Sequence, residues 1–258
     1  MTRWLTPELH AALEQLARVP RLLVALDFDG TLAPEVDVPE EARALPEAQA
    51  AVERLRGMPG TRVALVSGRA LDSLVHVSQL HDDVLLVGSH GIELRLGDPH
   101  AHPVLDATEL ARVDTLRVLL ERVVEPFENV WLEPKPAGFA VHTRLAVAED
   151  ARRVHESALR DVPAVLENLT IRHGKNVLEF AVRSTTKGEA IEHLRQYTGA
   201  DAVLYAGDDV TDEDAFATLR PGDLGLKSGE GETLAAFRVQ GPHGVAAALT
   251  ALAAFREE

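Results

Sequence analysis

Residues 22–34 read LLVALDFDGTLAP, an apolar run that ends in two carboxylates, Asp27 and Asp29, one residue apart. A strand needs no acids at its tip, and placing two together invites repulsion. A bound magnesium ion would repay that cost, because Mg²⁺ takes hard oxygen ligands and keeps several waters. Asp208, at the end of a second apolar run, would supply a further ligand, and Asp209 a ligand or the neighbour of one. With a metal and a phosphate in place, the Asp27 carboxylate would attack phosphorus and form an aspartyl-phosphate. Asp29 would transfer protons, first as acid to a leaving alcohol and then as base for water. Gly30 permits a tight turn, and Thr31 would orient Asp29 or donate to phosphate. Ser67 would donate a hydroxyl hydrogen bond to phosphate oxygens, and Lys187 would offset their charge.

These residues need strand ends to position them. Apolar runs at 21–28, 61–69 and 83–91 alternate with helical patterns at 46–58 and 70–80. Strand–helix–strand alternation predicts a Rossmann-like α/β core, a parallel sheet with helices on both faces. In such sheets chemistry gathers beyond the carboxyl ends of the strands, where Asp27, Asp29, Ser67, Asp208 and Asp209 all fall. The middle of the chain reads otherwise. Helical patterns at 108–125 and 149–162 are each followed by paired strands, with KPAG and HGKN at the turns. That predicts an inserted, smaller α+β domain over 105–182, within a core made of 1–104 and 183–258. Pro99 and Pro103 mark one hinge and RSTTKG (183–188) the other.

The 258 residues suffice for one large domain or two small ones, and 46% apolar content supplies a core. With no cysteine, disulfides and thiolate chemistry are excluded. A net charge of −15 argues against a nucleic-acid partner. No apolar run has signal-peptide or membrane-spanning length, so the expectation is a cytoplasmic monomer that acts on a small molecule and not at a membrane.

Taken together, DFDGT, SGR, TTKG and GDDVTDED resemble, in order, the four motifs of the haloacid dehalogenase superfamily of phosphotransferases. The insert looks like that superfamily's C2 cap. More closely, DFDGTLAP, GSHGIE, WLEPK, VHTR, HGKNVLE, GDDVTDEDAF and GEGETLAAFRV resemble the trehalose-6-phosphate phosphatase family, from about residue 22 to the chain's end. The resemblance implies Mg²⁺-dependent hydrolysis of trehalose 6-phosphate. It implies Asp27, the Asp29 backbone carbonyl and Asp208 at the metal, with Asp209 beside them. It places Gly30, Thr31, Ser67, Gly68 and Arg69 around the phosphate. Glu133, Lys135, His142, Arg144, Lys175 and Glu179 in the cap would read the sugar, since hydroxyls need carboxylate acceptors and cationic donors. The rival readings are the same chemistry on sucrose phosphate or mannosyl-3-phosphoglycerate, a phosphomutase, or a sugar-phosphate sensor without catalysis.

Two positions depart from the family pattern. Glu179 is followed by FAVRS where Arg-Pro is usual, and VHTR carries threonine where tyrosine is common. Both touch sugar reading and leave the acids alone. Taken singly, Ser67 and Arg69 read as a helix cap and a solvated charge, and the cap ions as cross-strand pairs. Asp212 either supports the site or caps the helix that follows. His90 with Gly91 reads as a turn and packing feature.

Overall fold

The computed structural model describes residues 4–97, 105–174, 176–183 and 185–257. Pro99, Pro103 and Lys175 lie outside the described residues. The chain divides into two compact units, Met1–His102 with Thr185–Glu258, and Pro103–Ser184.

The first unit runs α1 (Pro7–Ala17), β1 (Leu22–Leu26), α2 (Pro46–Arg56), β2 (Thr61–Val66), α3 (Leu71–Ser78), β3 (Leu85–Gly88) and β4 (Glu93–Arg95) before the second unit interrupts it. The second unit contains α4 (Ala107–Val124), β5 (Trp131–Lys135), β6 (Gly138–His142), α5 (Ala148–Asp161), β7 (Thr170–Gly174) and β8 (Val177–Ala181). The first then resumes with α6 (Lys187–Thr198), β9 (Ala202–Gly207), α7 (Asp212–Ala217), β10 (Leu224–Ser228), β11 (Phe237–Val239) and α8 (Gly241–Arg256).

The first sheet has the order β11-β10-β9-β1-β2-β3-β4, parallel except at β3–β4. Its central strands are apolar throughout because both faces are covered. In β1, Leu22, Val24 and Leu26 enter a core cluster with Leu13 of α1, Val52 of α2 and Leu249 of α8. Leu23 and Ala25 enter the opposite cluster with Ile191 of α6 and Phe216 of α7. Successive strand side chains alternate faces. Asp27 therefore continues the Leu23–Ala25 phase and points to the side of α6 and α7.

The pattern at 83–91 predicts one strand, but the structure breaks it after Gly88. Ser89, His90 and Gly91 all take positive φ values of 48°, 57° and 113°. This turn reverses the chain and adds β4 antiparallel to β3. His90 and Gly91 are thus the turn that their sequence suggested.

In the second unit, β5-β6-β8-β7 form an antiparallel sheet. Phe139, Val141, Leu178 and Phe180 are buried, as are Leu116 and Leu120 of α4, which packs on this sheet. By the period of two, Glu133, Lys135, His142 and Glu179 occupy the opposite face.

Candidate active site

Four strand ends build the core site. Asp27 follows β1 and is 5% exposed. Its backbone N–H still donates to Ala206 of β9, so the sheet fixes where the carboxylate starts. Lys187 opens α6, whose Thr186 and Glu189 form a capping box. That box fixes the first turn, and Lys187, only 2% exposed, reaches Asp27 at 3.0 Å and Asp212 at 2.6 Å.

Asp212 is fully buried and accepts four hydrogen bonds. Its Oδ1 receives Lys187 Nζ and the Tyr205 hydroxyl, each at 2.6 Å. Its Oδ2 receives the backbone N–H groups of Asp208 and Asp209, each at 2.8 Å. The choice between supporting the site and capping is thereby resolved: Asp212 holds the lysine and the acidic loop together. Gly207 makes room for it, since a Cβ there would lie 2.3 Å from the Asp212 carboxyl carbon.

The Asp27, Asp208 and Asp212 carboxylates have oxygens within 4.8 Å of one another. Three carboxylates share one ammonium, a net excess of two negative charges if all ionise. Burial pushes the Asp27 carboxyl well above the usual range; Lys187 pulls it back, and Asp212 and Asp208 push it further. Asp208 rises to about 6, through burial and then Asp212. Burial also works against the Lys187 cation, but Asp27 and Asp212 outweigh it and raise the lysine. One cation stays charged while the acids around it remain under-compensated.

The turn after β1 completes the site. Gly30 has φ 67°, and a Cβ there would lie 2.0 Å from Asp208 Oδ2. Thr31 is buried, and its hydroxyl faces Asp208 Oδ1 at 3.4 Å. Ser228, beyond β10's other residues, donates to the Gly30 carbonyl at 2.7 Å. Lys227 is buried and donates to the Asp208 carbonyl. Ser67 is buried at the end of β2, where its Oγ accepts the Arg69 N–H at 3.1 Å.

Three further expected residues, Arg69, Gly68 and Asp209, meet neighbouring protein groups. Arg69, expected at the phosphate, forks onto Asp29 through Nε at 2.5 Å and Nη2 at 2.6 Å. Gly68 beside it is pressed by the His90 ring, which a Cβ would approach to 2.7 Å. Asp209 is exposed, and its carboxylate turns onto the Val210 N–H at 2.7 Å rather than into the acid cluster.

On the second unit's polar face, Glu133 accepts Lys135 Nζ and pairs with His142 Nε2, both at 2.7 Å. Burial works against the Glu133 carboxylate, but these two partners outweigh it and hold its pKa below the ordinary value. Trp131 stacks on His142 with ring centroids 4.9 Å apart and planes 5° from parallel. Arg172 faces Glu179 across the sheet at 3.9 Å. Arg144, past the end of β6, is exposed.

The family model for trehalose-phosphatase matches residues 25–250. The chain belongs to the trehalose-phosphatase family. A probable trehalose-phosphate phosphatase 2 of Oryza sativa is 31% identical over 277 residues, covering 94% of this chain and 71% of its own length. The trehalose-6-phosphate phosphatase of Escherichia coli is 31% identical over 240 residues, covering 88% and 86%. Against the bifunctional trehalose-6-phosphate synthase/phosphatase of Thermoproteus tenax, 35% identical over 235 residues, this chain spans only 30% of the relative. The Candida albicans trehalose-6-phosphate phosphatase C-terminal domain superposes with TM-score 0.75 at 21% identity, over 95% of this chain and 97% of that one, a likeness of fold.

The trehalose-phosphatase family implies a divalent metal, and the residues present fit one. The donors are oxygens, their charge exceeds what Lys187 offsets, and the missing Cβ of Gly30 lets the Asp208 carboxylate lie against the turn after β1. Asp27 and Asp208 have carboxylate capacity to spare, whereas all four acceptor positions of Asp212 are used. Tyr205, Lys227, Ser228 and Trp131 were not singled out by their sequence. Tyr205 sits in the apolar run AVLYAG and reads as core. Only its phase, shared with the side that Asp27 faces, marks it as a partner.

Proposed function

We propose that the chain hydrolyses trehalose 6-phosphate to trehalose and inorganic phosphate, with Mg²⁺ as its metal. The observation that carries this reading is the buried Asp27–Lys187 pair, 3.0 Å apart, beside an under-compensated acid cluster in a trehalose-phosphatase chain. Asp27 Oδ attacks phosphorus as the bond to the sugar oxygen breaks. Asp29 gives that oxygen a proton, then takes one from the water that cleaves the aspartyl-phosphate and restores Asp27. Lys187 stays charged and offsets the phosphoryl oxygens. Asp27, Asp208 and the Asp29 carbonyl would hold Mg²⁺, which supplies further charge for those oxygens. Asp212 and Tyr205 keep Lys187 and the Asp208 loop in place.

The core, 1–104 with 183–258, performs this chemistry, and 105–182 reads the sugar. Glu133, Lys135, His142 and Glu179 share one face, and Trp131 and Arg172 join them there. Polar groups flanking an exposed aromatic ring suit a disaccharide, whose hydroxyls need donors and acceptors. Arg144 and Lys175 belong to the same proposal.

The test is phosphate release from trehalose 6-phosphate against glucose 6-phosphate, with Mg²⁺ and with excess chelator. The expected result is strong preference for the disaccharide and no turnover in chelator. Equal turnover of both esters would overturn the substrate, and full activity in chelator the metal.

A further inference from the structure

Arg69 is held before its side chain is considered. Its N–H donates to Ser67 Oγ at 3.1 Å, and its carbonyl accepts the Ser89 N–H at 2.7 Å. From that fixed backbone the guanidinium lies 5.9 Å from the Phe28 ring centroid and 3.3 Å from the Ser73 hydroxyl. Its fork, Nε and Nη2, is spent on the two oxygens of Asp29. The arginine side chain is 12% exposed and that of Asp29 is 37% exposed. A bidentate guanidinium–carboxylate pair fixes distance and plane together, which a point charge does not.

We propose that Arg69 is the positioning residue of Asp29 and not a phosphate ligand. This rests on the proposed role of Asp29 in proton transfer. Asp29 stands on a turn with its side chain partly in solvent, so the turn alone leaves its rotamer open. The anchored guanidinium selects one orientation of the carboxyl group. Proton transfer requires that group within hydrogen-bond reach of the reacting oxygen. Arg69 therefore bears on the two steps in which a proton moves, and leaves phosphate binding and attack by Asp27 untouched.

The test uses Arg69→Ala and Arg69→Gln on two esters that contain no disaccharide, p-nitrophenyl phosphate and glycerol phosphate. Nitrophenolate leaves without a proton, whereas the alkoxide of glycerol needs one. Stopped-flow release of nitrophenolate is expected to show a first turnover near the wild-type rate, followed by slow steady state. That burst arises because the hydrolytic water still needs Asp29. Turnover of glycerol phosphate is expected to fall about 10²-fold, the scale of a misplaced reacting group, with KM little changed. Inhibition by inorganic phosphate is expected to match the wild type, and Arg69→Lys, which keeps charge without the fork, to recover only part of the loss. Weaker phosphate inhibition with an equal loss on both esters and no burst would make Arg69 a phosphate ligand and overturn the proposal. Thermal midpoints separate misfolding from either result, and Arg69→Gln, close in size, serves if the alanine variant does not fold. Since neither ester carries the disaccharide, failure on trehalose 6-phosphate would overturn the substrate and leave the role of Arg69 standing or falling by itself.

Discussion

The acids beyond β1 and β9 and the ions on the polar face of the β5–β8 sheet solve opposite problems. In the core, three carboxylates cluster beside Lys187. Burial, Asp212 and Asp208 drive Asp27 upward, and burial and Asp212 drive Asp208 upward although its hydrogen bond with Asp27 works the other way. On the β5–β8 face, the charges are partly exposed and locally matched, and Glu133 is pulled below its ordinary pKa. A buried excess of charge is costly unless something binds it. A matched, partly solvated pair costs little and returns little. On the function proposed above, the core arrangement would receive a cation and a phosphate, and the sheet face would exchange modest hydrogen bonds with hydroxyls.

Removing the nucleophile is the harshest way to break this comparison. Asp27→Asn is expected to lower turnover by about 10⁴-fold or more, the scale of losing a covalent nucleophile. Its metal-free thermal midpoint is expected to stay level or rise, because a neutral amide relieves charge that the fold crowds. Near wild-type turnover would remove Asp27 from the mechanism. Asp212→Ala is expected to do the reverse to stability. It strands Lys187, Tyr205 and two backbone N–H groups, and losing one partner of a buried ion pair costs about 3–5 kcal/mol. Urea titration measures this, and turnover is expected to fall about 10²-fold as Lys187 and the Asp208 loop shift. A loss below about 1 kcal/mol, typical of a helix cap, would reduce Asp212 to that role.

Much of this site was legible because acids at strand tips have no structural excuse. Asp27, Asp29, Ser67, Lys187 and Asp208 declare themselves by type and order, and the alternation of strands and helices fixed the sheet that aligns them. What escaped depended on contacts that spacing does not encode. Arg69 sits forty positions from Asp29, and only the return of β2 beside β1 brings its fork there. Asp209 reads as a ligand or the neighbour of one, and its spacing does not show that its carboxylate accepts the Val210 N–H. Lys227 and Ser228 lie in GLKSGE, where nothing marks the backbone carbonyls that they meet. The turn at His90–Gly91 was legible, but its start inside the strand pattern 83–91 was not, because Ser89 takes a positive φ that serine rarely adopts.

The charge excess makes a gentler prediction. Asp208 titrates near 6 in the folded chain against 3.8 ordinarily. Between those values the folded form keeps a proton that the unfolded form has lost, so this group's stabilisation falls as pH rises through the window. The metal-free thermal midpoint is expected to drop from about pH 5 to about pH 7, and the drop to shrink in Asp208→Asn. Mg²⁺ is expected to raise the midpoint more at the higher pH, where the carboxylates it would bind are ionised. A larger Mg²⁺ effect at the lower pH would contradict a site made of these acids.

The smallest effects belong to the sheet face, where they sharpen the contrast. Glu133→Gln removes a charge that Lys135 and His142 share, and a charged hydrogen bond is worth about 1.5–3 kcal/mol. kcat/KM for trehalose 6-phosphate is expected to fall by about one to two decades, with p-nitrophenyl phosphate unchanged. Trp131→Ala is expected to cost less. Its ring lies parallel to His142, which in turn meets Glu133. Losing the stack frees the imidazole and loosens the carboxylate without removing either, and aromatic pairs are worth about 0.5–1.5 kcal/mol beyond burial. The disaccharide ester is therefore expected to lose about tenfold or less, mostly in KM. If Trp131→Ala costs more than Glu133→Gln, the ring itself meets the sugar and carries the reading, and the ions beside it serve to hold the ring. If both variants lose equally on the aryl ester, the face supports the fold, and its polarity has no part in choosing the substrate.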